Sequence, residues 1–503
     1  MPESGSMNLF DYLLENADLQ RIALIEEGAT TSYGELLRMV EGVEHALKTC
    51  GTGFQEKVGI LAENSAFWVA CYLGIIKSGA VAAPLPSRLT ADDLENYTKL
   101  IRCRTLCIDD RLVARYERLI TESGNQVLKS AIMPFKTRGS APDTESRPIT
   151  ASVDSRKDLA ALMFTSGSTG QPNAVRVTHQ NIMANTGAII AYLDLSQDDR
   201  MMTVLPFHYC FGTSLLHTHL RAGGSLVINN YFQYVEDVLN EMETFSCTGL
   251  AGVPSTFQSL LNNKSFRGRR FATLRHVQQA GGKLADRYIE DLRSILHGDA
   301  RLFISYGQTE ATARLSYLPP EKLQKKTGSI GKGIPGVTLQ VVDQTGIPLE
   351  QGEIGEIVAE GDNVAAGYLL PDPAKNPFRN GKLYTGDLGY TDEDGYIYLV
   401  GREKDFIKPS GYKVMAATIE HAILDMPEIA EAAIIGVPHD QLGEAAKAFI
   451  VLNDNALITA ETILDHCRKK LPLYAVPCCL EFMNHLPKNS AGKVMKNSLK
   501  QTP

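Results

Sequence analysis

Short apolar runs alternate with amphipathic segments along the first part of the chain. After an N-terminal helix, a hairpin around Glu27–Thr31 precedes a second helix that Ser32 opens. Lys57–Leu61 and Leu106–Asp109 have the pattern of strands, and Ser65–Lys77 lies between them as a helix. Strands that alternate with helices in this way are typical of parallel sheets covered by helices. The pattern therefore predicts an α/β fold.

The alternation continues through the middle of the chain. The predicted elements there are, in order, the helix His179–Tyr192, the strand Met201–Leu205, the helix Ser214–Leu220 and the strands Gly223–Ile228, Gly249–Val253, Val277–Ala280 and Arg301–Ser305. The last strand leads into YGQTE at Tyr306–Glu310. Ligands of open α/β sheets bind just beyond the carboxyl ends of the strands, so this segment is a candidate binding site.

The pattern of apolar and turn-forming residues changes beyond Thr327. Short strands separated by turns predict a small β-rich subdomain over about 327–400, and strand–helix alternation returns after it. The polar stretch Lys136–Arg156 is interpreted as an exposed connection. We therefore predict a large N-terminal domain (1–403) of helix-covered mixed sheets plus the β-rich subdomain, followed by a small mobile α+β C-terminal domain (404–503).

A loop rich in Gly, Ser and Thr stands between two apolar strands, Leu159–Phe164 and the segment around Val175. Its residues are Thr165, Ser166, Gly167, Ser168, Thr169 and Gly170. Glycines let backbone N–H groups turn inward and the hydroxyls add donors, so the loop is suited to a phosphate. It is not a Walker A loop, because no Gly-Lys-Ser/Thr follows. Taken alone, the loop could also be a flexible surface turn.

The composition restricts the domain count, the class of partner and the cellular setting. A chain of 503 residues exceeds what one core usually supports, so at least two domains are expected. The formal net charge of -8 argues against a nucleic-acid partner. Nine scattered cysteines without CxxC spacing favour a reducing, cytoplasmic setting without structural zinc. We expect no signal region and no membrane span.

Five ordered motifs carry a family resemblance. They are TSGSTG at Thr165, YGQTE at Tyr306, YTGDLG at Tyr384, GREKDFIKPSGYKV at Gly401 and LPKNSAGKVMK at Leu486. The set resembles the adenylate-forming superfamily of acyl- and aryl-CoA synthetases, peptide-synthetase adenylation domains and luciferases, over about Leu9 to Leu499. The resemblance implies an enzyme that joins a carboxylic acid to the α-phosphate of ATP, expels pyrophosphate and passes the acyl group to a nucleophile.

The resemblance also implies roles for the nucleotide-binding residues. The loop from Thr165 to Gly170 would hold the β- and γ-phosphates. In the second motif, Tyr306 and Gly307 would lie against the nucleotide, with Tyr306 on adenine, while Thr309 would bond the α-phosphate and Glu310 would hold Mg²⁺. Asp387 would accept hydrogen bonds from the ribose hydroxyls, and Arg402 would assist it.

The C-terminal part would contribute motion and catalysis. Lys493 is implied to be the catalytic lysine that contacts the carboxylate oxygen and the developing phosphoryl charge. Lys404 occupies the hinge position about which the C-terminal domain would rotate between the two half-reactions.

Two departures from the family pattern stand out. Asn173 replaces the lysine that usually follows the loop, so the loop should hold phosphate by donor geometry more than by charge. Ala416 and Thr418 stand where relatives usually carry Pro and Glu, in a region that commonly contacts the acceptor. A CoA acceptor is therefore less firmly implied than the adenylation chemistry.

The resemblance also implies an acid pocket that is lined by three segments. Its candidate residues are His208, Tyr209, Phe211, Val253, Ala280 and Gly281. No acidic residue lies between Leu205 and Ser214 to pair with an α-ammonium, which favours an acid without a free α-amine. The aromatic residues suit an aryl, alicyclic or short acyl acid, or they are plain core packing. His208 could instead gate the acceptor tunnel.

Several functions stay open at this point. The leading hypothesis is an ATP- and Mg²⁺-dependent acid–thiol ligase whose acceptor is CoA or carrier-protein phosphopantetheine. A stand-alone amino-acid-activating enzyme that loads a carrier protein, and an amide ligase with an amine acceptor, are alternatives. The missing loop lysine is the only support for a non-catalytic binding protein. The sequence names neither the acid nor the oligomeric state.

Overall fold

The structure is a computed structural model of the chain. It describes residues 6–123, 126–129, 151–166, 172–373, 376–402, 405–412, 414–453, 456–488 and 494–500. Most of the predicted connection Lys136–Arg156 lies outside these residues.

The first half of the chain follows the predicted alternation closely. Its elements are α1 (Leu9–Leu14), β1 (Ile22–Glu26), β2 (Ala29–Ser32), α2 (Tyr33–Thr49), β3 (Lys57–Leu61), α3 (Ala66–Lys77), β4 (Val81–Pro84), α4 (Ala91–Ile101), β5 (Thr105–Ile108), α5 (Asp110–Ser123), β6 (Gln126–Lys129), β7 (Leu159–Ser166), β8 (Pro172–Thr178), α6 (His179–Leu193), β9 (Arg200–Thr203), α7 (Cys210–Ala222), β10 (Ser225–Ile228), α8 (Val235–Thr244) and β11 (Gly249–Gly252).

The second half contains shorter elements. They are α9 (Pro254–Asn262), α10 (Lys264–Gly268), β12 (His276–Gln279), α11 (Asp286–Ile295), β13 (Arg301–Tyr306), β14 (Ser316–Leu318), β15 (Ser329–Gly333), β16 (Val337–Val342), β17 (Gly355–Gly361), β18 (Phe378–Arg379), β19 (Lys382–Thr391), β20 (Ile397–Arg402), β21 (Phe406–Ile407), β22 (Val414–Met415), α12 (Ala416–Leu424), β23 (Ile429–His439), β24 (Gly443–Leu452), α13 (Ala460–Lys470), β25 (Cys479–Phe482) and α14 (Lys496–Leu499).

Local sequence explains several element boundaries. Ser32 and Glu35 form a capping box at the start of α2, a device worth about 1 kcal/mol. The strand predicted at Gly223 starts at Ser225 instead, because Gly223 ends α7 in the left-handed conformation (φ 76°). The same helix begins at Cys210 rather than at the predicted Ser214, so the aromatic segment before Ser214 forms its first turn.

Two large sheets organise the N-terminal part. A six-stranded sheet has the order β6-β5-β3-β4-β7-β8, and all its pairs are parallel except the β7–β8 hairpin. The helix α3 packs between this sheet and the second one, and Trp68 within it is almost wholly buried. The phosphate-loop candidate therefore connects the two antiparallel strands at one edge of this sheet.

The second sheet joins the acid-pocket strands to the β-rich segment. Its order is β16-β17-β19-β20-β15-β14-β13-β12-β11-β9-β10-β1-β2, with β18 paired to β19. The strands from β13 to β1 are parallel, and β14 and β15 pair antiparallel and continue the sheet into 327–400. The predicted β-rich segment is thus present, and it extends this second sheet, which we call the main sheet.

The C-terminal part has its own sheet and core. The sheet order is β23-β24-β25, and α12 and α13 pack on it around Ile419, Ile450 and Ile463. Arg287 of α11 reaches across to this part: its Nη1 donates to the Met426 carbonyl at 2.7 Å and its Nη2 to the Ile429 carbonyl. One arginine therefore contacts two backbone carbonyls of the C-terminal part.

No helix within the described ranges is long and apolar enough to cross a membrane. All nine cysteines are free.

Candidate active site

Three side chains contact one another where β13 and β20 end, and they belong to Tyr306, Asp387 and Arg402. Asp387 and Arg402 are register partners on β19 and β20, and Arg402 Nε donates to Asp387 Oδ1 at 2.7 Å. Tyr306 donates its hydroxyl to Asp387 Oδ2 at 2.6 Å. Burial and the Asp387 carboxylate raise the pKa of Tyr306 well above its ordinary value, so the phenol stays protonated. Each carboxylate oxygen keeps a further lone pair for a sugar hydroxyl.

The turn after Tyr306 is tightly constrained. A Cβ on Gly307 would lie 1.8 Å from the Ala313 carbonyl oxygen, so only glycine fits there. Thr312 has φ 66° and ψ -54°, which is strained for a β-branched residue. Its hydroxyl donates to the Asn363 carbonyl at 2.7 Å, and the amide of Asn185 donates to the Arg314 carbonyl at 2.8 Å. These bonds hold the strained turn in place.

Glu310 lies within this turn and close to the base of the glycine-rich loop. Tyr368 donates its hydroxyl to Glu310 Oε1 at 2.7 Å, and Tyr368 forms a bridge with Val175 of β8. The strand β7 contacts the 309–311 turn, and Thr165 pairs with the exposed Asn173 where the loop begins and ends. The structure thus brings Glu310 near the edge of the six-stranded sheet that carries the loop.

His208 and Tyr209 precede α7, beside the same turn. Their rings pack with centroids 4.4 Å apart. Burial lowers the pKa of His208 to about 3, so the imidazole is neutral at pH 7. Its Nε2 has no hydrogen-bond partner among the described residues. A neutral imidazole with one unsatisfied nitrogen can accept or donate a hydrogen bond to a ligand.

Phe211 and Val253 pack in one small apolar cluster. Val253 follows β11, and Gly281, with φ 84°, comes so close that a Cβ there would lie 3.0 Å from Val253 Cγ1. Ala280 follows the neighbouring strand β12, and its N–H donates to the Gly252 carbonyl at 3.2 Å. Gly281 leaves room for a ligand at the strand ends, because a side chain there would be both strained and crowded.

A contact between Cys210 and Thr309 connects the two halves of the site. The Cys210 Sγ lies 3.4 Å from Thr309 Oγ1. Burial raises the pKa of Cys210, so the thiol stays neutral. The first turn of α7, which carries Phe211 and directly follows His208 and Tyr209, is therefore in contact with the predicted α-phosphate residue.

Some predicted residues lie outside the part of the chain that is described. They are Gly167, Ser168, Thr169, Gly170, the hinge candidate Lys404 and the catalytic candidate Lys493. The backbone of Ser166 is described as the last residue of β7, but its side chain is not. The roles of these residues stay predictions.

Three residues at the site were not singled out from the sequence. Tyr368, in an irregular segment, carries no motif. Cys210 lies inside the predicted pocket segment, but its position gave no sign of a contact with Thr309. Arg314 follows YGQTE by four residues and has the appearance of a surface arginine, yet it is only 1% exposed.

Comparison with known proteins shows the family of the chain. The family model described as AMP-binding enzyme matches residues 14–369, and the one described as AMP-binding enzyme C-terminal domain matches residues 418–493. The chain belongs to the AMP-binding enzyme family. The family predicted from the five motifs is thereby confirmed.

Two relatives illustrate the range of the family. A long-chain-fatty-acid–CoA ligase of Yersinia pestis is 35% identical over 350 residues, 68% of this chain and 61% of that protein. The match therefore spans less than two thirds of that relative. A feruloyl-CoA synthase of Amycolatopsis is 28% identical over 94% of both chains.

Solved structures share the whole architecture. ATP-bound MatB of Rhodopseudomonas palustris has a TM-score of 0.88 at 27% identity, over 98% of each chain. The o-succinylbenzoate CoA synthetase of Bacillus subtilis, in complex with its acyl-adenylate intermediate, has a TM-score of 0.86 at 27% identity, over 99% of this chain and 98% of that one. The predicted α/β fold with a large N-terminal and a small C-terminal domain is confirmed, as is the class of AMP-forming acid–thiol ligase.

Proposed function

We propose that this chain activates a small carboxylic acid with ATP and transfers the acyl group to the thiol of CoA. The contact between Cys210 and Thr309 carries this proposal, because it joins the segment of the acid-pocket candidates to the predicted phosphate-binding residue. Acid and α-phosphate would then meet at one point, as adenylation requires.

The nucleotide would lie along the ends of β13, β19 and β20. Tyr306 would face the adenine, while Asp387, oriented by Tyr306 and Arg402, would accept hydrogen bonds from the ribose. A fixed acceptor pair needs no reorganisation when the sugar binds, which favours binding. Thr309 would donate to the α-phosphate, where negative charge develops during attack.

Glu310 is the residue suited to Mg²⁺. Among the described residues there is no cluster of three or more His, Cys, Asp or Glu side chains that could hold a metal alone. Mg²⁺ is commonly held by one or two carboxylates together with substrate phosphates and waters, and Glu310 fits that mode. When bound, the cation would neutralise phosphate charge. Tyr368 would keep Glu310 oriented through its 2.7 Å hydrogen bond.

His208, Tyr209, Phe211, Val253, Ala280 and Gly281 would surround the acid. Lys493 would contact the attacking carboxylate and the phosphoryl oxygens, and the C-terminal domain would rotate about Lys404 before transfer. The expected setting is the cytoplasm.

Lys493→Ala tests the catalytic assignment. We expect the variant to lose about 100-fold or more of the acid-dependent exchange of labelled pyrophosphate into ATP, because charge stabilisation at the phosphoryl oxygens is lost. Its circular dichroism should match the wild type. Lys500→Ala, in the same terminal segment, serves as the control. An unchanged exchange rate in Lys493→Ala would remove Lys493 from the mechanism.

The acceptor needs a separate comparison. Pyrophosphate release and acyl transfer are measured over a panel of acids with CoA, a phosphopantetheinylated carrier protein or amines. We expect CoA to give the fastest acyl transfer. Faster transfer to carrier protein or to an amine would replace the CoA assignment while leaving acid activation intact.

A further inference from the structure

Arg314 is a buried arginine beside the proposed acid pocket. Its backbone belongs to the strained turn after Glu310, and its side chain is 1% exposed. The guanidinium carbon lies 4.0 Å from the centre of the Phe211 ring. Arg314 therefore packs against Phe211, which is one of the proposed acid-pocket residues.

The contacts of the Arg314 guanidinium are all with neutral groups. Nη1 lies 3.4 Å from Ser214 Oγ, and Nη2 lies 3.2 Å from Gln278 Oε1. Both distances are at or beyond the long end of ordinary N–H···O bonds. Among the described residues, Nε has no hydrogen-bond partner and no carboxylate lies within 4.0 Å of the group.

Such an arrangement is unusual for a guanidinium, which stays protonated in proteins. Buried charges are normally paired, because removing an ion from water is costly unless an opposite charge compensates. The face of Phe211 offers some attraction to the cation, but it is not a counter-ion. No counter-ion that would compensate Arg314 is present among the described residues.

Other unpaired polar atoms lie on the strands around Arg314. Gln278 Nε2 on β12 and Ser305 Oγ on β13 are buried without partners among the described residues, and so is Gln308 Nε2 just after β13. All three atoms can donate a hydrogen bond. Of these side chains, Gln278 contacts Arg314, so its free amide adds a donor beside the guanidinium that is suited to an acceptor-rich, anionic group.

The position of Arg314 sets the distance between the group that it would bind and the reacting carboxylate of the acid. Ser214, which contacts Arg314, lies one helical turn beyond Cys210, which contacts Thr309. Four residues of α-helix rise about 6 Å. An acid with one end at Thr309 would thus present its other end to Arg314 after a short chain.

We propose that the acid carries a second carboxylate, which binds Arg314, so that the substrates are short dicarboxylic acids. This inference rests on the proposed acid-activating function. One carboxylate attacks the α-phosphate of ATP and displaces pyrophosphate, and the other stays ionised in a charge-assisted pair with Arg314. A bidentate pair of this kind is among the strongest hydrogen-bonded contacts in proteins.

Matched acids test the proposal. Acid-dependent pyrophosphate release is measured for α,ω-dicarboxylic acids of about three to eight carbons, a range set by the helical spacing. Each is compared with the monocarboxylic acid of equal length and with its own monoamide. We expect kcat/KM of the best dicarboxylic acid to exceed that of both partners by about tenfold or more, because only the dicarboxylate pairs with Arg314.

Arg314→Met removes the charge and keeps an unbranched side chain. We expect kcat/KM for the dicarboxylic acid to fall by about 100-fold, since one partner of a buried pair is lost, while the monocarboxylic acid stays unchanged or improves. Arg270→Met, at an exposed arginine outside the site, is the control and should change neither series.

Thermal unfolding gives a readout that does not depend on turnover. Arg314→Met should melt no lower than the wild type, because an uncompensated buried charge is gone. The dicarboxylic acid should raise the Tm of the wild type and leave that of Arg314→Met unchanged.

Three results would overturn the proposal. They are equal use of monocarboxylic acids or monoamides by the wild type, an equal loss for both series in Arg314→Met, and a marked fall in the Tm of the free variant, which would make Arg314 structural. Absence of pyrophosphate release with every acid is a different result, and it would refute acid activation together with the inference that rests on it.

Discussion

Three buried histidines predict that this protein loses stability in mild acid. Burial lowers the pKa of His179 and of His219 to about 4, and that of His217 to about 3. His179 Nδ1 accepts the Leu9 N–H at 3.0 Å, so a proton at that nitrogen would break the bond. His217 Nε2 lies 2.9 Å from the hydroxyl of Tyr72. All three imidazoles are held in the neutral form.

The sign and the size of this change in stability follow from the difference in protonation between the unfolded and the folded chain. Each pKa is depressed on folding, so between about pH 4 and pH 6.5 the unfolded chain binds more protons than the folded one. Stability is therefore retained above pH 6.5 and lost as the pH falls below it. From pH 7 to pH 5, one histidine with these pKa values removes about 2 kcal/mol, and three remove about 6 kcal/mol. That is a large part of the roughly 5–15 kcal/mol typical of a folded domain.

The single tryptophan provides the assay. Trp68 is buried and stacks on Tyr72 with centroids 5.1 Å apart, so its fluorescence reports on the N-terminal core next to His217. Urea unfolding at pH 7, 6 and 5 gives the free energy of unfolding at each pH. His217→Gln keeps a polar partner for Tyr72 and does not titrate, so its loss between pH 7 and pH 5 should be smaller than that of the wild type by about 2 kcal/mol.

The control is His297→Gln, at an exposed position, which should follow the wild type. A wild-type loss below about 1 kcal/mol between pH 7 and pH 5 would refute the reasoning, because one buried neutral histidine alone should exceed it. The same conclusion would follow if His217→Gln kept the full pH dependence.

Three further predictions concern the site and the domains. Asp387→Asn removes the charge that Arg402 contacts, and AMP binding measured by calorimetry should weaken by about 10- to 100-fold; equal affinity would exclude Asp387 from the nucleotide site. Arg287→Ala removes the hydrogen bonds to two carbonyls of the C-terminal part. The ratio of pyrophosphate exchange to thioester formation should therefore change by several-fold. A constant ratio would contradict a role for this contact in domain orientation. Asn173→Lys adds a cation at the base of the loop and should tighten ATP or pyrophosphate by about fivefold, which competition binding would detect; no change in either affinity would mean that a cation here is irrelevant.

Local signals in the sequence predicted much of the fold. Ser32 marked the start of α2, and the apolar run at Lys57–Leu61 marked β3 without error in its bounds. These features depend on neighbouring residues only. The start of α7 was misjudged by four residues, because the aromatic and glycine residues before Ser214 have weak helix propensity and the tertiary structure overrides it.

The long-range features could not be predicted from neighbouring residues in the sequence. The pairing of β14 with β13 and β15, which extends the main sheet, depends on register between segments that carry no local mark. The burial of Arg314 depends on Phe211 and Gln278, which lie far away in the sequence. Motif order predicted which residues bind the nucleotide, whereas a missing counter-ion becomes visible only when the fold shows which charges are unpaired.

The extended sheet also has an evolutionary consequence. The proposed acid-pocket residues come from 208–281, whereas the proposed nucleotide residues on this sheet come from 306–402. Because neighbouring strands of one sheet position both sets, the earlier segment can diverge, or be exchanged between homologues, while the nucleotide residues stay fixed. New acid preferences can then arise within the earlier block with the ATP chemistry inherited unchanged, whereas a preference set by Arg314 depends on the later block.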